Sequence, residues 1–249
     1  MTRAIPPAAG ARLLADLAAL GPYFAVDVHR PGSPVRPPWQ PLGELTGSPG
    51  ALAGRIGEVR ERLAVAAGCP AAAVEFRVAA SIAQLGLCAR LLSPALGAAA
   101  VGRALPVDAA QARWVPALGG PFRLSLAEDR LSLAEEAIAA EPGTAATAAL
   151  LAGPVTQIVR SVEAMAVSPR VLWGNVASAV NGAATMIAAA RPDLAGRATE
   201  AAAALLAHPD LAGTYQGHPL QGFRRRNCCL IYRLSPERPA YCGDCVLGR

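Results

Sequence analysis

The last twenty-two residues hold four of the six cysteines: Cys228 and Cys229 side by side, twelve residues, then Cys242-Gly243-Asp244-Cys245. Four sulfur donors so close in sequence suit a metal centre, because thiolates are the ligands shared by zinc and iron–sulfur sites. Disulfides compete, but a bridge between adjacent cysteines is strained, and no secretory signal points to an oxidising compartment. Zinc competes more seriously, since Cys-x-x-Cys serves either metal. The other half of the set is a Cys-Cys pair, however, and neighbouring side chains on an extended backbone point to opposite faces. Cys228 and Cys229 therefore need a local bend to meet one ion, whereas a two-iron cluster offers a wider target. On the residues alone both metals stay open.

Cationic residues crowd the same stretch. Arg224, Arg225, Arg226 and Arg233 are placed to offset the negative charge of a thiolate-bound centre, and the competing reading is a solvated basic turn. Gly243 would let the Cys-x-x-Cys turn bring backbone N–H groups toward sulfur, and the Asp244 carboxylate would oppose reduction. Cys69 and Cys88 read as small buried hydrophobes. His29, His208 and His218 read as capping or surface residues, the last two near enough to the tail to meet a substrate. Trp173 and Asn175 read as core packing with a backbone hydrogen bond, or as a wall facing substrate or cofactor. Gly119-Gly120 is a turn, since no Gly-x-Gly-x-x-Gly follows a strand.

These residues must be positioned by a body poor in other chemistry. Of 249 residues, 53% are apolar but only 4% aromatic, alanine filling the difference, and all 23 basic residues are arginine. The net charge of +5 is scattered, with one run at Arg224–Arg226, so nucleic-acid binding is not expected and membrane contact is at most peripheral. Residues 1 to 25 lack a secretory signal, and no stretch gives about 18 clean apolar residues for a span, so the cytoplasm is the expected location.

Apolar spacing predicts a helix over residues 10–20, then a strand over Tyr23–His29 and a proline-rich loop anchored by Trp39. Ser48 and Pro49 predict the start of a helix that Gly68 closes. Helices are expected over Val74–Leu92, stopped by Ser93-Pro94, and over Ala95–Ala104, with a hairpin across Ala112–Leu126. Three more helices are expected, over Thr144–Ala166, Val171–Ala190 and Ala195–His208. The fold class is thus mainly α (α+β), with a helical body over 1–222 and a metal-binding segment over 223–249.

Arg226-Asn227-Cys228-Cys229-Leu230-Ile231-Tyr232-Arg233 followed by Cys242-Gly243-Asp244-Cys245 resembles the C-terminal signature of the FhuF-type ferric siderophore reductases. Ser168-Pro169, Val171-Leu172-Trp173-Gly174-Asn175 and Arg90-Leu91-Leu92-Ser93-Pro94 are also similar to stretches of that family. The likeness covers roughly the second two-thirds of the chain, and residues 1–50 contribute nothing to it. It implies a [2Fe-2S] cluster held by Cys228, Cys229, Cys242 and Cys245. It also implies one-electron reduction of an iron(III)–siderophore complex in the cytoplasm, with electrons from a separate ferredoxin-like protein or reductase. The twelve residues between Cys229 and Cys242 exceed the family's usual gap. Leu234-Ser235-Pro236-Glu237-Arg238-Pro239 is turn-forming, so the excess can loop out. The alternative is a noncatalytic zinc-binding protein or an iron–sulfur sensor.

Overall fold

In the computed structural model, which describes residues 7–117, 120–131, 142–234 and 241–248, helices dominate and strands are few and short. The mainly α (α+β) class expected from the sequence is the one observed. The first helix, α1, spans Pro7–Ala19; α2, Glu44–Gly47, is one turn, and α3 is Pro49–Ala67. Gly68 ends α3 in the left-handed conformation (φ 66°), as expected, while Ser48 precedes it without a side-chain capping bond.

Helix α4, Phe76–Ala100, runs through the centre of the body, packed against α3 and against four later helices. It corrects the expectation of two helices separated at Ser93-Pro94, because Pro94 lies inside it. An internal proline costs about 3 kcal/mol. Leu91, Leu92, Ala95, Leu96 and Ala98 are all buried around it, and each buried leucine returns about 1.5–3 kcal/mol. The Ser93 hydroxyl donates to the Ala89 carbonyl (2.6 Å) at the same place. Close packing continues at Gly97, where a Cβ would lie 2.9 Å from both Leu17 and Phe24.

Strands β1 (Asp27–His29), β2 (Gln40–Pro41), β3 (Arg113–Val115) and β4 (Arg123–Ala127) form one sheet in the order β1-β4-β3-β2. β1 runs parallel to β4, with Asp27 opposite Ser125, and β3 is antiparallel to β4, with Trp114 opposite Leu124. The hairpin over 112–126 is therefore present, though residues 118 and 119 of its turn lie outside the described residues. The strand expected over Tyr23–His29 shrinks to Asp27–His29. Phe24 and Ala25 instead donate their N–H groups to the Gly21 carbonyl, and the Tyr23 and Ala25 carbonyls accept from buried Arg90. Trp39 anchors its loop as expected, with the Arg123 guanidinium 4.8 Å above its ring.

Helix α5, Pro142–Leu150, passes through a π turn at Leu151–Val155 into α6, Thr156–Glu163. Pro154 interrupts the ladder there, and the Thr156 hydroxyl donates to the Leu151 carbonyl (2.8 Å). Helices α7 (Pro169–Ala190) and α8 (Ala195–Leu206) follow, and both pack on α4. By length and hydropathy α4 and α7 would pass as membrane spans, but their windows are 78% and 61% buried inside the body, as core helices are.

A hairpin of β5 (Tyr215–His218) and β6 (Gln221–Arg225) leads into the cysteine segment. Gly217 sits at φ 82°, where a Cβ would lie 2.2 Å from the Gly222 carbonyl oxygen, so only glycine fits this bulge. The division between residues 222 and 223 falls within β6, at the bulge where its register with β5 shifts between Gly222 and Arg224.

Candidate metal centre

The cysteine segment is pinned to the body from three sides. The Cys242–Cys245 turn is closed by Cys245 N–H donating to the Cys242 carbonyl (3.0 Å), and Arg225 N–H donates to the Asp244 carbonyl (3.0 Å), which attaches the turn to β6. The Asp244 carboxylate accepts from Ser178 Oγ (2.6 Å) and Asn181 Nδ2 (3.3 Å), both on α7. Its carboxylate thus also anchors the turn to α7. On the other side Ser81 Oγ, on α4, donates to the Cys229 carbonyl (2.9 Å).

The bend demanded by the adjacent cysteines lies just after them. Leu230 adopts φ 73°, a left-handed conformation that costs a non-glycine residue about 1–3 kcal/mol. Its N–H donates to Cys228 Sγ (3.3 Å), as Leu247 N–H does to Cys245 Sγ (3.3 Å). Backbone donors reach sulfur from Leu230 and Leu247, outside the Cys242–Cys245 turn to which the sequence reading assigned them. Cys229 and Cys245 are buried, and Cys228 and Cys242 are half-buried. The Cys242 thiol donates to Cys229, which pulls the Cys229 thiol down, opposed by burial and aided by the Ile231 N–H and the Arg225 charge. The same bond, with burial and the Cys229 charge, pushes Cys242 up. Burial raises Cys228, against the Leu230 N–H and Arg225.

The four arginines separate into different roles. Arg224 is exposed and donates to the Gly248 carbonyl (2.7 Å), Arg226 is exposed, and Arg233 pairs with Glu75 (3.3 Å). Arg225 is fully buried. Its Nη2 donates to Asn175 Oδ1 (2.6 Å) and to the Val171 carbonyl (3.3 Å), while its Nε and Nη1 are buried with no partner among the described residues. Its charge acts on Cys228, Cys229 and Cys242. Gly174 makes room for it, since a Cβ there would lie 3.2 Å from Nη2.

Asn175 is the hub behind this guanidinium. Its Nδ2 donates to the Ser81 carbonyl (2.9 Å), Ser81 Oγ (3.0 Å) and Gln84 Oε1 (2.8 Å). A buried polar chain thus runs from Arg225 through Asn175 and Ser81 to the Cys229 backbone. Ser81, Gln84, Ser178 and Asn181 escaped the sequence reading. Their signal was polar residues at helical spacing within otherwise apolar, buried helix faces. Trp173 packs against the core.

The remaining candidates stand apart. Cys88 is buried, accepts from Gln84 Nε2 (3.1 Å), and is pushed up to about 12 by burial. Cys69 packs against the core. His208 accepts from Asp210 N–H (3.3 Å), capping a short turn, His218 contacts the Pro219 carbonyl (3.2 Å), and His29 bonds Ser125 Oγ (2.8 Å). Residues 235–239 of the expected turn lie outside the described residues.

Among the described residues no group of three or more His, Cys, Asp or Glu side chains is arranged to hold a metal ion. The donor set nonetheless fits an anionic thiolate centre. Cys229 and Cys242 shift each other's proton affinity, and a desolvated cation with two N–H groups unpartnered among the described residues adjoins them. A buried cation without an anion is costly, and a cofactor carrying net negative charge would relieve it. Compared with known proteins, the chain matches no family model, no curated protein and no solved structure.

Proposed function

We propose that this chain is an iron–sulfur oxidoreductase that reduces iron(III)–siderophore complexes, akin to the FhuF-type ferric siderophore reductases, and acts in the cytoplasm. The observation that carries the reading is Arg225, a fully buried guanidinium beside the four cysteines with no carboxylate partner among the described residues. Cys228, Cys229, Cys242 and Cys245 are the ligands, bound as thiolates, so their protons leave on assembly. When bound, a [2Fe-2S] cluster supplies reversible storage of one electron.

Arg225 offsets the charge of the thiolate set, and its Nε and Nη1 are free to donate to sulfur. Asn175 holds the guanidinium, while Ser81 and Asp244 hold the two halves of the ligand set to α4 and α7. Hard oxygen donors bind iron(III) far more tightly than iron(II), so one electron delivered to the chelate loosens the metal. No general base is needed, in keeping with histidines that sit in structural contacts. The electron comes from a separate ferredoxin-like protein or reductase.

The test is anaerobic purification followed by iron, sulfide and zinc analysis and a visible spectrum. Iron and sulfide in equal amounts in a red-brown protein are expected, and a colourless zinc protein overturns the reading. The reduced protein should then release iron(II) from a ferric hydroxamate, detected by a ferrous chelator. A coloured protein that fails this step is a sensor, not a reductase. Cys242→Ser should remove colour and activity together.

A further inference from the structure

One surface of the molecule gathers exposed apolar and cationic side chains around the Cys242–Cys245 turn. Tyr241, Val246 and Leu247 are 50%, 42% and 48% exposed. Arg224 and Arg226 lie exposed on one side of β6 and its continuation, and Phe223 and Arg225 point inward, as a period of two requires. Contacts draw these groups together. The Arg224 guanidinium donates to the Gly248 carbonyl (2.7 Å), and a Cβ on Gly248 would lie 3.5 Å from Cys245 Cβ and 3.8 Å from Tyr241 Cβ.

Among the described residues, the carboxylates near this face are turned inward or paired. Asp244, the one carboxylate in the turn, is turned inward onto Ser178 and Asn181. Glu75, near the Ile231–Leu234 turn, is held by Arg77 and Arg233. An apolar cluster flanked by the exposed Arg224 and Arg226 is left, with the half-buried Cys242 within it.

We propose that this face docks an acidic one-electron carrier protein, an inference that rests on reading the four cysteines as a redox centre. Transient redox encounters use small patches, under about 1,200 Å² in total, where apolar contact is aligned by complementary charge. The arginines select an acidic partner and speed its approach. An anionic bilayer would satisfy the same side chains but would supply no electron to cysteines lying within the face. One electron passes from carrier to this chain: the carrier is oxidised by one unit as this chain is reduced by one, and no bond or proton is exchanged.

The probe is an acidic plant-type [2Fe-2S] ferredoxin, with the metal-loaded full chain as its partner. Stopped-flow transfer from reduced ferredoxin, expressed per iron-bearing molecule, should fall about tenfold or more from low to high salt. Arg226→Glu should lower the low-salt rate by about tenfold and flatten the salt dependence. Leu247→Ser should lower the rate and keep the salt dependence. A salt-independent rate, an unchanged rate in Arg226→Glu, or sedimentation with phosphatidylserine vesicles in place of ferredoxin binding would each overturn the proposal. Binding of oxidised ferredoxin, followed by NMR shifts of the ferredoxin, needs no electron transfer. Binding without iron in this chain would sink the redox reading and leave the docking face. A coloured protein that reduces ferric chelates but ignores ferredoxin would do the reverse.

Discussion

Among the described residues, Arg90 and Arg225 are buried with no carboxylate hydrogen-bonded to them, and they are buried for opposite reasons. Arg90, on α4, has every guanidinium nitrogen occupied: Nε donates to the Phe122 carbonyl (2.7 Å), Nη1 to that of Tyr23 (2.9 Å) and Nη2 to that of Ala25. Its burial depresses its pKa to about 10, opposed by Asp27 and Tyr23, and it remains a cation at neutral pH. Arg225 has one nitrogen occupied and two idle, and the idle ones belong to the region that holds the cysteines. A satisfied buried cation is a staple between segments. An unsatisfied one is poised to donate to an acceptor such as an anion, because an unmet buried donor costs about 1–3 kcal/mol and more when charged.

The largest effect that would break this contrast is on stability. Arg90→Leu strands three carbonyls and should cost about 3–5 kcal/mol in urea unfolding, while the folded fraction keeps the iron content of the unmutated protein. Arg225→Met should do the reverse. Metal-free protein should stay within about 1 kcal/mol of wild type, since a costly buried charge is lost together with its bonds to Asn175 and Val171. Iron content should fall several-fold, and any retained centre should titrate at a potential lower by on the order of 60 mV, a tenfold change for one electron. If Arg225→Met unfolds the metal-free protein as Arg90→Leu does, the contrast fails.

A smaller perturbation sharpens it. Gly174→Ala places a methyl 3.2 Å from Arg225 Nη2, displacing the guanidinium by a few tenths of an ångström without removing charge. The expected cost is about 1 kcal/mol, with a potential shift smaller than that of Arg225→Met. The smallest effect is expected at His29, far from the cysteines in sequence. Its pKa is lowered by burial first and then by the Arg113 charge, against bonding and carboxylate effects that raise it. The unfolded chain therefore takes up the proton first as pH falls below 6.5, so stability declines there and is unaffected above it. His29→Gln should flatten that limb of the unfolding profile and leave iron content unchanged.

Much of the fold was legible because it rests on local rules. Gly68 and the apolar spacing placed α3, α7 and α8 to within a few residues. The failures had a common cause in long-range burial. Pro94 reads as a stop, but the helix continues because its flanks are enclosed on both sides. Tyr23–Ala25 reads as strand, but Arg90 and the Gly21 turn claim its backbone groups. At the cysteine site the ligand candidates were evident from spacing, whereas the four arginines looked equivalent. Only packing divided them into one buried cation and three surface groups.

The sequence by itself determined the candidate ligands Cys228, Cys229, Cys242 and Cys245 and a mainly helical body, since residue type, spacing and helical periodicity are local properties of a chain. Only the tertiary structure decided that Asp244 faces α7, that Asn175 and Ser81 support Arg225, and that Arg225 alone of its run is buried. Desolvation and hydrogen-bond satisfaction depend on what lies across the fold, and partners from residue 81 to residue 245 meet only when α4, α7 and the cysteine segment pack together.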